Sequence, residues 1–236
     1  MKRIVGLDIF RGYAILLMII FHLCFDLNHF NFVNLDIRID PFWKYFRVVI
    51  VSMFLFSAGV SLKLAHYDEI SLNALKKRLL ILGSASLLVS LGSYIQFPNT
   101  WIYFGVLHFI LFASIVGLLF VKTPLLSLLA AIAIIIGYHL GYLHTHWLFE
   151  ILQKPLHLPA GYTEDLVIVF PWMGVFLLGV AFAGYGLHKV VFDRAFFNAP
   201  RKINKFFIFL GRHSLVIYLI HQPILFAMLY LWKYYL

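Results

Sequence analysis

Residues 11–30 read RGYAILLMIIFHLCFDLNHF. The stretch is apolar for about the length a helix needs to cross the hydrocarbon of a bilayer, roughly 20 residues. It nevertheless carries Arg11, His22, Asp26 and His29. Charges and imidazoles are costly in lipid, so they must face the interior of a helix bundle. Residues three and four apart share a helix face. Asp8, Arg11, Ile15, Met18, His22, Asp26 and His29 therefore form one stripe, and the other faces are Ile, Leu, Phe and Tyr. His22 and Asp26 stand at i and i+4, so the spacing predicts a carboxylate in reach of an imidazole, a base with its orienter. Arg11 and His22 are roughly 16 Å apart along the axis at about 1.5 Å per residue.

The rest of the chain agrees with a membrane reading. Of 236 residues, 63% are hydrophobic and 12% charged, and mean hydropathy is +0.92; soluble domains run near 25% charged. The expected fold is all-α, one polytopic membrane bundle over 1–236, with about seven spans near 9–29, 44–65, 79–96, 101–121, 124–143, 166–187 and 212–232. The breaks fall at Asp40-Pro41, Pro98-Asn99, Lys122-Thr123-Pro124, Lys154 to Tyr162 and Asn198-Ala199-Pro200. Asn204 to Leu210 read as an interfacial segment leading into the last span. The first apolar run lacks a small-residue cleavage site and reads as retained.

The net charge of +9 does not call for nucleic acid, because the basic residues lie between apolar runs, where they set topology and meet lipid headgroups. With a cytoplasmic N-terminus, the inner side holds Lys2, Arg3, Arg11, Lys63, Lys76, Lys77, Arg78, Lys122, Lys189, Arg194, Arg201, Lys202, Lys205 and Arg212. The outer side holds only Arg38, Lys44, Arg47, Lys154 and Lys233. The sole cysteine, Cys24, excludes an intrachain disulfide.

Further polar positions punctuate the later spans. GRHSLVIYLIHQP at 211–223 puts Ser214, Tyr218 and His221 on one face, flanked by Gln222, with Arg212 and His213 at the inner mouth. Pro223 frees the carbonyl of Leu219. GVLHFI at 105–110 carries His108, and depth alone suggests that His22, His108 and His221 converge. FLFSAGVSL at 54–62 offers Ser57, Gly59 and Ser61, small enough to admit a helix or a ligand. Gly137 and Gly141 are spaced as a helix-packing GxxxG. PWMGVFLLG at 171–179 places Trp172 as a belt or a substrate wall. His144, His146, Glu150, His157, Glu164 and Asp165 share an outer loop, but their spacing fits no strong zinc pattern, and no metal is expected. The absence of a Gly-rich phosphate loop, HExxH and GxSxG argues against ATPase, zinc protease and serine hydrolase chemistry.

LDIFRGYAILLMIIFHLCFDL at 7–27, followed in order by FLFSAGVSL, GVLHFI, PWMGVFLLG and LGRHSLVIYLIHQP, resembles the heparan-alpha-glucosaminide N-acetyltransferase catalytic-domain family, in a compact bacterial-type form within the wider membrane acyltransferases. The resemblance implies a multi-span enzyme of the cytoplasmic (inner) membrane. It would move an acetyl group from cytosolic acetyl-CoA to a sugar amine or hydroxyl on an extracytoplasmic glycan or glycolipid. An activated histidine is implied, a role carried onto His22 with Asp26 as orienter; His29 is the alternative counterpart. His221 and His108 are the further catalytic candidates. Arg11, Arg78, Arg212, His213, Ser57, Gly59, Ser214, Tyr218 and Gln222 are the candidates for holding the donor, the arginines suiting its phosphates. His22 could act as general base or as covalent carrier. The expected partners are acetyl-CoA, the acceptor and membrane lipids, without nucleic acid, with a homo-oligomer possible. A proton-coupled transporter using the His/Asp stripe as a relay is the alternative, and a non-catalytic subunit presenting an acylated lipid a third.

Overall fold

A computed structural model of the chain describes residues 3–37, 39–159, 163–192 and 202–235, with the side chain of His146 left aside. Lys2, Arg38, Tyr162, Arg194, Arg201 and the break at Asn198-Ala199-Pro200 lie outside the described residues. The described residues are mostly helical and contain no strand. In chain order the helices are α1 (Val5–His29), α2 (Pro41–Ala65), α3 (Leu72–Gln96), α4 (Val106–Gly117, extended by a 3-10 turn to Phe120), α5 (Pro124–His139), α6 (His146–Gln153), α7 (Trp172–Gly184), α8 (Leu187–Phe192), α9 (Lys202–Arg212) and α10 (Ser214–Tyr235). Four of them, α1, α2, α3 and α10, are long and apolar enough to cross a membrane. Val106–Phe120, Pro124–His139 and Trp172–Gly184 are apolar but shorter. The chain falls into two compact units, residues 1–54 with 188–236 and residues 55–187, with the boundary inside α2.

In the first unit, α1 packs against α9 and α10. Its core is Ile9, Ile15 and Met18 of α1, Ile50 of α2, and Phe207 and Leu210 of α9. Two glycines let the backbones meet: a Cβ on Gly12 would overlap the carbonyl of Phe207, and one on Gly211 the carbonyl of Asp8. Such small-residue contacts replace the hydrophobic drive that lipid cannot supply between helices. The Tyr13 ring stacks on Phe207, centroids 3.8 Å apart.

The second unit is organised around α7. Gly59 of α2 meets the carbonyl of Phe176, and Gly179 of α7 meets the carbonyl of Phe56. Around this crossing Leu55, Val60, Leu62, Phe109, Phe176, Leu177 and Val180 are fully buried or nearly so. Ser127 of α5 donates to Leu177 O at 2.9 Å.

Several boundaries differ from the hydropathy reading. The fourth and sixth apolar runs begin as extended chain, not helix. Phe104 and Leu166 form an isolated parallel bridge. Around it Glu164 N–H donates to Thr100 O, Val167 N–H to Phe104 O, and Thr163 Oγ1 to Trp101 O. Each backbone group used sideways is lost to a helical ladder, so α4 starts only at Val106 and α7 at Trp172. Asp165 then accepts the Val106 N–H at 3.2 Å and caps α4. The last span starts at Ser214, two residues later than read, and the segment Asn204 to Leu210 lies in the separate helix α9.

The GxxxG at Gly137 is not a packing motif. Gly141 lies past the end of α5 with φ +81°. Tyr142 N–H and Leu143 N–H both return to Gly137 O, so the pair terminates a helix, with Gly141 supplying the left-handed residue.

Candidate active site

α1 and α10 carry the polar groups of the first unit. His22 Nδ1 lies 2.9 Å from Met18 O, and His221 Nδ1 lies 2.7 Å from Tyr218 O. A carbonyl only accepts, so in each neutral ring Nδ1 holds the hydrogen and Nε2 carries the lone pair. The two rings meet edge to face, with centroids 4.8 Å apart and planes at 73°. Two imidazoles whose tautomers are fixed by their own helices thus stand side by side, each with a basic nitrogen at Nε2. Tyr218 lies against His221, centroids 5.8 Å apart, and against Phe54.

Asp26 does not orient His22. Its Oδ1 accepts from Gln222 Nε2 at 2.7 Å, while His22 is already held by Met18 O. The i, i+4 spacing allows a carboxylate–imidazole pair, but both partners find stronger claims elsewhere. Asp26 Oδ2, Gln222 Oε1 and His221 Nε2 are all buried without a hydrogen-bond partner. All three are acceptors, and buried polar atoms are normally paired. A group that fits among them must bring hydrogens.

Toward the N-terminus of α1 a second constellation forms around Asp8, whose side chain is 3% exposed. Arg3 grips it through two bonds of 2.6 and 3.2 Å. Arg11 and Arg212 each approach to 3.7 Å. Asp8 lies in the first turn of α1, where the helix dipole favours a carboxylate, and Gly211 allows the end of α9 to reach it. Three guanidiniums share one carboxylate, so the cluster keeps excess positive charge, and Arg3 and Arg212 are about half exposed. His213 is exposed, with Nδ1 on Phe209 O. Ser214 opens α10. His29 is exposed at the end of α1 and rests on Phe226.

The other expected site residues belong to the second unit. His108 is engaged at both ring nitrogens: Nδ1 accepts from Gly105 N–H at 3.3 Å and Nε2 pairs with Ser90 Oγ at 2.9 Å. It caps α4 and ties it to α3. Arg78 bonds Ser114 Oγ at 2.8 Å and Ala58 O at 3.1 Å. The room above Gly59 is filled by the α7 backbone, and buried Ser57 receives the Ser61 hydroxyl on its carbonyl, so these small residues serve a helix crossing. Among the described residues no three His, Cys, Asp or Glu side chains gather as a metal site; Glu164 pairs with Thr100 and Asp165 with α4.

The family model for the heparan-alpha-glucosaminide N-acetyltransferase catalytic domain matches residues 3–223. The chain belongs to this family. That match takes in every residue of both constellations. No curated protein and no solved structure matches the chain. This member of the family is an integral membrane protein of N-acetyltransferase type. Two features of its site were not legible in advance: Asp8 as the common anchor of three arginines, and Gln222 as the partner of Asp26. Asp8 stood on the polar stripe three residues from Arg11, which was the available signal. The second contact joins residues 196 positions apart, and no local spacing reports it.

Proposed function

We propose that the chain transfers an acetyl group from cytosolic acetyl-CoA to a sugar amine or hydroxyl on an extracytoplasmic glycan or glycolipid, in the cytoplasmic membrane. About seven spans with the N-terminus inside would put the Asp8 cluster at the inner face. There the excess charge of Arg3, Arg11 and Arg212 suits the donor's phosphates. The thioester then lies along α1, toward His22.

The observation that carries this reading is the His22–His221 pair, in which His221 Nε2 is an orphaned acceptor, as are Asp26 Oδ2 and Gln222 Oε1. An acceptor amine or hydroxyl brings the hydrogens that Asp26 Oδ2, Gln222 Oε1 and His221 Nε2 lack. As its nitrogen or oxygen attacks the thioester carbonyl, His22 Nε2 takes its proton. The C–S bond breaks, and the thiolate takes the proton back from the imidazolium, leaving CoA as the free thiol. A covalent acetyl-imidazole would use the same nitrogen.

The test is acetyl transfer by the full chain in nanodiscs, read as thiol release from acetyl-CoA with glucosamine as acceptor. His22→Ala and His221→Ala should each abolish most of the release. Release at the wild-type rate in both variants rejects the reading. Movement of the acceptor across vesicles without acetylation would instead favour a transporter.

A further inference from the structure

The turn between α2 and α3 in the second unit gathers groups that acetyl transfer does not use. His66 is fully buried. Its Nδ1 accepts the Ser71 N–H at 3.1 Å, so Nδ1 carries the lone pair and Nε2 the hydrogen. That Nε2–H is buried and has no partner. A buried donor left unpaired costs about 1–3 kcal/mol, so one is seldom left without purpose.

The surroundings of this donor are cationic. Lys63, one turn back on α2, is buried along its stem and lies over the Tyr67 ring, 4.9 Å from its centroid. Lys122 reaches in from the α4–α5 junction and donates to the backbone carbonyl of Asp68. Lys63 and Lys122 are close enough to repel each other, and Lys122 and Arg78 both act on His66. Burial first, then these two cations, hold the His66 ring below its ordinary pKa, so it stays a neutral donor. Asp68 offsets part of the charge on Lys63, but its carboxylate and that of Glu69 belong to exposed residues. Ser71, bonded to His66, is also the N-cap of the 25-residue α3, its Oγ accepting from Ala74 N–H. The positive end of that helix adds to the field. Like charges assembled around an unmet donor require an anion.

We propose that the α2–α3 turn is a phosphate-binding site, in which His66 Nε2–H, Lys63 and Lys122 hold the phosphate of a lipid headgroup or of a nucleotide. The site stands in the second unit, and it takes no part in the His22–His221 chemistry.

The test uses the full chain and follows its melting temperature. In neutral detergent, pyrophosphate and tripolyphosphate are the soluble probes. In nanodiscs, phosphatidylcholine alone is compared with phosphatidylcholine containing phosphatidylglycerol. The wild type should gain roughly 3 °C or more at saturation from at least one source. Lys63→Met/Lys122→Gln should remove that gain, as should His66→Phe, while acetyl transfer with glucosamine continues. A gain from the soluble probes identifies a nucleotide phosphate, and a gain from the anionic lipid alone identifies a headgroup. No gain from either source, or an equal gain in wild type and the lysine double variant, overturns the proposal. Pyrophosphate carries no acyl group, so failure of the acetyl-transfer reading leaves this outcome untouched.

Discussion

His22 and His221 face each other edge to face, ring centroids 4.8 Å apart, each with Nδ1 on a carbonyl of its own helix. Both tautomers are therefore set by backbone and not by a carboxylate. Substituting either ring should lower acetyl transfer about 10²–10⁴-fold, the usual contribution of a positioned acid–base group. Because the rings act on one proton path, His22→Ala/His221→Ala should cost little more than the worse single variant. Single-turnover thiol release measures this; strictly additive losses would separate the two histidines into independent roles.

The Gln222–Asp26 bond makes a sharper distinction. Asp26→Asn keeps an acceptor oxygen for Gln222 Nε2, so its melting temperature should stay near wild type. Gln222→Leu removes that donor and leaves both carboxylate oxygens of Asp26 buried and unmet, at a cost of roughly 1–3 kcal/mol. If Asp26 also binds the acceptor, Asp26→Asn raises the acceptor KM without loss of stability. An unchanged KM in a stable Asp26→Asn protein confines the carboxylate to a structural role.

Much of α1 was legible, because a 3.6-residue period is a local property. The stripe from Asp8 to Asp26 is buried at Asp8, Ile15, Met18 and Asp26, and the Asp8–Arg11 pair forms at its i, i+3 spacing. The same local logic failed at His22 and Asp26. There a backbone carbonyl and a glutamine on α10 compete with the i, i+4 contact, and hydropathy carries no record of either. It failed again at 101–105 and 166–171, where apolar chain is consumed by backbone pairing between two segments. Depth alone groups His108 with His22 and His221, yet Ser90 and Gly105, which decide what its nitrogens can do, are visible only once α3 and α4 meet. Gly59 reads as small enough to admit a helix or a ligand, and the structure fills that space with α7, where Gly59 and Gly179 form reciprocal contacts.

The glycine contacts of the first unit set a steric prediction. A Cβ on Gly211 would overlap the Asp8 carbonyl, and one on Gly12 the Phe207 carbonyl. Neither neighbour is the flexible end of a side chain, so relief requires helices to move. Gly12→Val should destabilise the chain by roughly 1–3 kcal/mol or more. Gly83 has open space around it, and Gly83→Val should be close to neutral. Melting curves in one detergent compare the three proteins, and equal losses at Gly12 and Gly83 would contradict the close α1–α9 approach.

Asp8 anchors Arg3, Arg11 and Arg212, and Asp8→Asn leaves three guanidiniums without their shared carboxylate. Arg3 and Arg212 are about half exposed, so solvent screens much of the loss, and roughly 1–2 kcal/mol is expected. The freed charge acts in the other direction on a polyanionic donor. Acetyl-CoA should bind Asp8→Asn at least as tightly as wild type, with a steeper salt dependence, whereas Arg11→Gln/Arg212→Gln should weaken it. Isothermal titration at two ionic strengths reads both. Unaltered donor affinity in the double arginine variant would remove the phosphates from this cluster.

His66 gives the chain a pH dependence whose sign is fixed by its surroundings. Burial, then Arg78 and Lys122, lower its folded pKa below 6.5; Lys63 and Asp68 stand next to Lys122. The unfolded ring titrates near 6.5. Above that value neither state binds the proton, and His66 contributes its full stability. As pH falls through about 6.5 the unfolded ring takes up a proton while the folded ring does not, so unfolding gains ground. The loss stops once pH has passed below the folded pKa. Wild type should therefore lose melting temperature relative to His66→Phe as pH is lowered from 7.5 to 5 in phosphate-free buffer. Pyrophosphate should reduce that relative loss, because an anion at the turn favours the protonated ring. Parallel pH curves for the two proteins would place the ring in an ordinary solvated environment, against the burial that the α2–α3 turn gives it.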